Sequence, residues 1–286
     1  MPDPTNRTAR NAIVAPQPLA VEEGARVLMA GGNAIDAAVT CAFVQAIVDP
    51  QMCGIGGYAC LNLHLASAEG GAGGARKVGL DAPALAGSQV APDMWVNEII
   101  GPNPDGWGYF LKGRLNDAGY TSICTPGWVR AMATMLERWG TISWADALAP
   151  AARVAEEGFV VGERMGTRWL MQARFPEACE LIDYIRLNPK ASRIYLKADG
   201  SPYRVGERLR NPDYARTLRH LGERGPDDFY QGELARTMMA DLAANGAYVT
   251  AGDLAGYRLR EDQLVTGSYR GYTVTSATAP HGGPTL

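Results

Sequence analysis

The sequence predicts an α+β fold, and three observations carry that reading. Two consecutive apolar helices with cap signals fill residues 18–48. An alternating strand and a short second strand follow at 58–82, and capped helices dominate after Pro126.

The first helix reads PLAVEEGARVLMA. Pro18 suits the first helical position, Glu22 and Glu23 lie near the positive end of the dipole, and Gly31-Gly32 close the helix. Asn33 can cap the second, AIDAAVTCAFVQAIV, with Asp36 as a capping-box partner. This helix is apolar nearly all round, which predicts burial, and Asp49-Pro50 ends it. In YACLNLHLA the residues Ala59, Leu61, Leu63 and Leu65 share one face, and Tyr58, Cys60, Asn62 and His64 the other. With KVGLDA it forms a hairpin whose tip, SAEGGAGGAR, is expected to be flexible and exposed.

Residues 87–125 are rich in proline, glycine and polar residues and read as a long loop. Pro126-Gly127 opens a helix with Trp128, Met132, Met135, Leu136 and Trp139 on one face. Ser143 caps the next, which Pro150 should kink or split and Gly158 ends. Residues 160–210 give no assignment. Asn211-Pro212 starts the helix DYARTLRHLGER, stopped by Gly225; another turn and helix follow, then a short piece from Thr250 to Asp253. A last strand or hairpin lies around Arg270-Gly271. No internal repeat is visible, and one domain over 1–286 is expected.

Composition narrows the function. Of 286 residues 47% are hydrophobic and 20% charged, as in a soluble globular protein with a sizeable core. Twenty-seven basic and thirty acidic side chains give a net charge of −3, and there is no basic stripe, so nucleic acid is not an expected partner. Five scattered cysteines without a C-x-x-C pair make neither a disulfide framework nor a zinc site, and suit a reducing compartment. No apolar run is long enough to span a membrane, and the N-terminus lacks a signal-peptide core. The expectation is cytoplasmic, or periplasmic if a leader was removed, with no cofactor and no metal.

The stretch DPQMCGIGGY poses the main choice. A phosphate-binding glycine turn follows a strand and opens a helix, whereas here the helix precedes and the strand follows. The steric reading is favoured: Gly54, Gly56 and Gly57 supply positive φ or close backbone approach. His64, His220 and His281 have no metal-site spacing. His220 is expected to be solvated, and His281 could line a pocket, with structural roles favoured for all three. Cys53 reads as a small buried thiol. Asp81, at a strand end, is as consistent with a solvated turn as with a ligand contact. The residues alone offer no complete catalytic constellation.

Eight stretches in fixed order change this. GGNAIDAAV (31–39), DPQMCGIGGY (49–58), TPGWVRAM (125–132) and LAPAARVAEEGFVV (148–161) are followed by NPDYARTL (211–218), GPDDFYQGELA (225–235), DLAGYR (253–258) and YRGYTVTSATAPHGG (269–283). Together they resemble the large-subunit half of gamma-glutamyltransferases and the acylases and amidohydrolases similar to them. The match runs from about residue 15 to the end, with interruptions at 85–123 and 163–205. The resemblance implies the N-terminal nucleophile hydrolase fold, a four-layer αββα sandwich, of which this chain would be an incomplete large-subunit part. It also implies a self-cleaving precursor whose small subunit begins with a threonine. That threonine attacks amides of small molecules such as glutathione, its own amine acting as base. No catalytic residue is then expected in this chain: the threonine would lie beyond Leu286, and the small subunit would be the partner.

One departure bears on substrate. In gamma-glutamyltransferases an arginine just after the aspartate of this strand clamps the substrate carboxylate. Here GLDAPALAG (79–87) keeps Asp81 and lacks the arginine. Such a pair is worth on the order of 2–5 kcal/mol. Either Arg114 substitutes, making Asp81 and Arg114 the substrate-binding candidates, or the substrate lacks that carboxylate, which is favoured. A non-catalytic binding relative with the same fold is the alternative, and a nucleotide-binding protein is disfavoured by the order of the elements.

Overall fold

The computed structural model describes residues 11–66, 75–106, 108–171, 180–261 and 264–285. Helices α1 (Pro18–Met29) and α2 (Ala34–Val48) lead into hairpin β1 (Ala59–Leu65) and β2 (Arg76–Ala82). A smaller hairpin follows, β3 (Ile99–Pro102) with β4 (Tyr109–Leu111). Next come α3 (Trp128–Trp139), α4 (Trp144–Glu157), β5 (Phe159–Val160), α5 (Glu163–Arg168), α6 (Leu181–Leu187), α7 (Pro189–Tyr195) and β6 (Arg208–Leu209). The remainder is α8 (Pro212–Arg224), α9 (Asp228–Gln231), α10 (Glu233–Ala244), α11 (Ala251–Ala255), β7 (Val265–Tyr269) and β8 (Tyr272–Ser276). Among the described residues the strands form four two-stranded ladders, all antiparallel.

Helix α2 is the centre of the helical core. Its capping box forms as expected: Asn33 Oδ1 accepts from Ile35 and Asp36, and Asp36 accepts from the Asn33 amide. Phe43 meets Trp128 of α3 and Trp144 of α4 edge-on, at centroid distances of 4.7 and 5.3 Å. Such pairs add about 0.5–1.5 kcal/mol beyond burial. Where α1 crosses α2, Gly24 admits the close approach: a Cβ there would sit 3.0 Å from the Ala37 carbonyl and 2.3 Å from Ile13 Cδ1. Glu23 plays a different part from the one expected. It is buried, and bonds Arg26 at 3.0 Å and Arg153 of α4 at 2.8 Å, so it ties two helices together.

Helix α4 continues through Pro150, so of the expected kink or split the split does not occur. Proline removes one backbone bond and crowds the preceding turn. Burial of Ala147, Leu148, Ala151, Ala152 and Val154 holds the helix through it.

Hairpin β1–β2 keeps the anticipated alternation, with Ala59, Leu61, Leu63 and Leu65 turned inward. Its expected flexible tip falls almost wholly outside the described residues. In β2 both faces are buried from Val78 onward. The opposite, polar face of β1 is exposed, and the β7–β8 hairpin reaches it at Asn62, whose Nδ2 donates to the Thr275 carbonyl at 2.8 Å.

The segment read as a loop at 87–125 contains β3–β4, whose register shifts between Ile99 and Gly101. Apolar triplets interrupted by glycine and proline are too short to show alternation. The unassigned 160–210 region likewise holds elements of two to seven residues, too brief for periodicity to register.

Candidate functional site

Asp81 lies next to the end of β2 and is only 2% exposed. Backbone bonds with Arg260 in both directions, at 2.8 and 2.7 Å, add Arg260 to its strand edge. Arg260 Nη2 donates to one carboxylate oxygen, and His281 Nε2 donates to the other at 2.9 Å. Burial works against the charge, but the hydrogen bonds from His281 and Arg260 outweigh it and hold the carboxyl below the ordinary 3.8. A carboxylate only accepts, so the His281 Nε2 must carry its proton. The His281 amide bonds the Thr278 carbonyl at 3.1 Å, which fixes the turn that presents the ring.

Beside this cluster is a cleft lined by Cys60, Leu61, Leu80 and Ala277, with room for about one water. It shares Gly79 and Leu264 with a larger cleft of about 420 Å³ between β2 and the β7–β8 hairpin. The arrangement offers fixed charge and hydrogen-bond donors along one trough.

Two of the residues singled out in the sequence, Asp81 and His281, are thus brought together, and His281 does line a pocket. Asp81 is no solvated turn residue. Arg114 stands elsewhere: it adopts φ +55°, and its guanidinium faces Asp117 at 3.4 Å. Tyr184 also donates to Asp117, at 2.5 Å. The guanidinium at Asp81 is Arg260, which sequence reasoning missed because its partner is 179 positions away. Its one available signal was its place two residues past the DLAGYR stretch.

The other candidates lie away from this cluster in the hydrogen-bond network. His220 is not merely solvated: its Nε2 meets Asp228 at 2.8 Å, and Asp228 in turn accepts the Glu233 and Leu234 amides at the start of α10. His64 is exposed, across from Lys77. Cys53 is half-buried, its Sγ contacts the Gln45 and Asp49 carbonyls at 3.5 Å, and burial followed by the Asp49 charge pushes it up to about 11. Such a thiol is a poor nucleophile.

The glycine corner is backbone architecture, by one of the two expected routes and at one of the three glycines. None of Gly54, Gly56 and Gly57 has positive φ. Only Gly57 makes a close approach, a Cβ there lying 3.2 Å from the Gly54 carbonyl. Its own carbonyl accepts both the Gly127 and Trp128 amides at 3.0 Å. Those are the leading N–H groups of α3, the ones an anion would need, and they are already engaged.

The remaining motif stretches interlock nearby. Tyr257 donates to the Pro83 carbonyl at 2.7 Å and stacks on Tyr230, whose hydroxyl donates to Pro126 and accepts from the Arg130 amide.

Comparison with known proteins decides the family. The gamma-glutamyltranspeptidase family profile matches residues 20–286. The chain belongs to the gamma-glutamyltranspeptidase family. Over 274 residues it is 33% identical to the acylase ACY 1 proenzyme of Pseudomonas sp. strain SE83, covering 95% of this chain and 45% of that protein. It is also 33% identical to the glutathione hydrolase proenzyme of Pseudomonas sp. strain A14, covering 95% of this chain and 43% of that one. The chain therefore spans less than half the length of these relatives. The gamma-glutamyltranspeptidase structure from Helicobacter pylori superposes with a TM-score of 0.83 at 30% identity, covering 99% of this chain and 74% of that one. The fold is the α+β fold of this N-terminal nucleophile hydrolase family, to which the chain contributes helices and antiparallel hairpins. Among the described residues no helix is long and apolar enough to cross a membrane.

Proposed function

We propose that this chain is the large-subunit portion of an enzyme that cleaves amide bonds through an N-terminal threonine carried on a small subunit of the same precursor. Hydrolysis and acyl transfer are both open to such an acyl-enzyme. The observation that supports this is the family match over residues 20–286, together with relatives that are themselves proenzymes. The small subunit is the proposed partner, a small-molecule amide the substrate, and the cytoplasm the compartment.

Asp81 and Arg114 are the proposed substrate-side residues, with different demands. Asp81 acts through the Arg260–His281 cluster it holds, whereas Arg114 would have to leave Asp117 to reach a ligand. Identity to the acylase and to the glutathione hydrolase is equal, so similarity does not choose between them. The absent arginine after Asp81 favours an acyl-amide over a gamma-glutamyl compound.

The test uses the full-length protein. Its intact mass is expected to show two chains that sum to one precursor, and a simple acyl-amide is expected to turn over faster than gamma-glutamyl-anilide. Rapid turnover of the latter would overturn the acyl-amide preference. A single uncut chain with no activity would favour the non-catalytic relative.

A further inference from the structure

We infer that the cavity between α6, α7 and the turn at residues 50–51 binds a small neutral aromatic molecule of one or two rings. It measures about 210 Å³ and is partly open to solvent. An engineered apolar cavity of about 150 Å³ takes up benzene, so this one has room for a larger guest. Three rings line it, those of Trp169, Tyr184 and Tyr195. Trp169 and Tyr195 meet at a centroid distance of 6.0 Å and an interplanar angle of 72°, so the two form a corner. A flat guest can lie along one ring while its rim meets the other, the two arrangements that aromatic pairs prefer. Pro50, Leu181 and Ile185 add aliphatic surface.

The polar groups on the wall exclude charge from the guest. Among the described residues no side chain that lines the cavity is charged. The Tyr184 hydroxyl donates to Asp117 at 2.5 Å, and the Tyr195 hydroxyl is bonded to Asn211. Gln51 Nε2 donates to Asp49, a wholly buried carboxylate that also accepts from Gln45 at 2.9 Å and faces Arg164 at 3.4 Å. The side-chain donors on the wall are thus committed, and a carboxylate or phosphate would give up its hydration without gaining a partner. Gln51 Oε1 is buried and has no hydrogen-bond partner among the described residues. It is an acceptor, so a single N–H or O–H on the guest meets an oxygen rather than another donor. The cavity shares no lining residue with either cleft beside Asp81, and its occupancy does not depend on the amide-cleaving reading.

Calorimetry on the full-length protein tests this with indole as the probe and indole-3-carboxylate as its charged counterpart. Indole is expected to bind saturably, at least tenfold more tightly than the carboxylate, and without weakening as salt is raised. Ala191 lines the same cavity, so Ala191→Leu, and more so Ala191→Phe, should fill it and lower indole affinity at least tenfold. Exposed Glu137→Gln should leave that affinity unchanged. Hydrogen exchange on the parent protein needs no variant to fold: indole is expected to slow the amides of 181–195 and to leave those of 76–82 as they are. Absence of saturable binding, equal affinity for the carboxylate, or protection at 76–82 without protection at 181–195 would each overturn the inference. Unchanged affinity in Ala191→Phe with its melting temperature intact would do the same.

Discussion

Asp36 is completely buried, and its carboxylate collects four donors: the Asn33 amide at 2.8 Å, the Thr141 amide and hydroxyl at 2.7 and 2.6 Å, and the Ile142 amide at 3.3 Å. One side chain thus closes the cap of α2 and pins the turn between α3 and α4. Burial opposes the charge, and the Thr141, Asn33 and Ile142 bonds overcome it. Truncation would strand several buried donors, each costing about 1–3 kcal/mol. Asp36→Ala is therefore expected to lower unfolding free energy by about 3–5 kcal/mol, measured by urea titration. A loss below about 1 kcal/mol would mean that water replaces the carboxylate without penalty. Asp81 has the same chemistry, but its donors come from Arg260 and His281, at the edge of a trough. The difference between a strut and a candidate site is what lies next to the carboxylate.

Elements specified by neighbours in sequence were readable; those specified across the chain were not. Asn33 with Asp36, Ser143 with Asp146, and Asn211 with Tyr214 each place a cap within three residues of its partner, and each forms as the sequence implies. The β1–β2 hairpin followed from alternation alone. Arg260 escaped notice because nothing local marks an arginine whose carboxylate lies on another strand. Of the two routes the sequence leaves open for the glycine corner, left-handed backbone is absent and close approach holds at Gly57 alone, whose carbonyl docks α3. Gly127, at the other end of that contact, is the tighter position. A Cβ there would lie 2.0 Å from the Tyr257 hydroxyl and 2.5 Å from the Ala82 carbonyl. Gly127→Ala should cost about 3 kcal/mol, since the backbone carbonyl cannot swing aside. Adding Tyr257→Phe relieves one clash and removes the bond to Pro83, so thermal denaturation of the double variant should show part of the loss recovered. Simple additivity of the two losses would argue that the contact is not shared.

At the scale of the molecule, ionised carboxylates fasten the elements to one another. Asp36 joins α2 to the α3–α4 turn, Asp81 joins β2 to the segments at Arg260 and His281, and Asp228 joins α8 to α10. All three are held below the ordinary aspartate value of 3.8, burial opposing the shift and hydrogen bonds to the charged form prevailing in each. A carboxyl whose folded value is depressed gives stability that is fully present above its unfolded value and disappears as pH falls towards the folded one, because the unfolded chain takes up the proton first. Unfolding free energy should therefore lose little to these groups between pH 7 and about pH 5 and drop steeply below about pH 4. Asp36→Asn cannot take up that proton, so its stability curve should be shallower on the acid side than the parent's, whatever its value at neutral pH. Urea titrations of both proteins at pH 7, 5, 4 and 3 would show it, and parallel acid slopes would mean that Asp36 is protonated in the folded chain as readily as in the unfolded one.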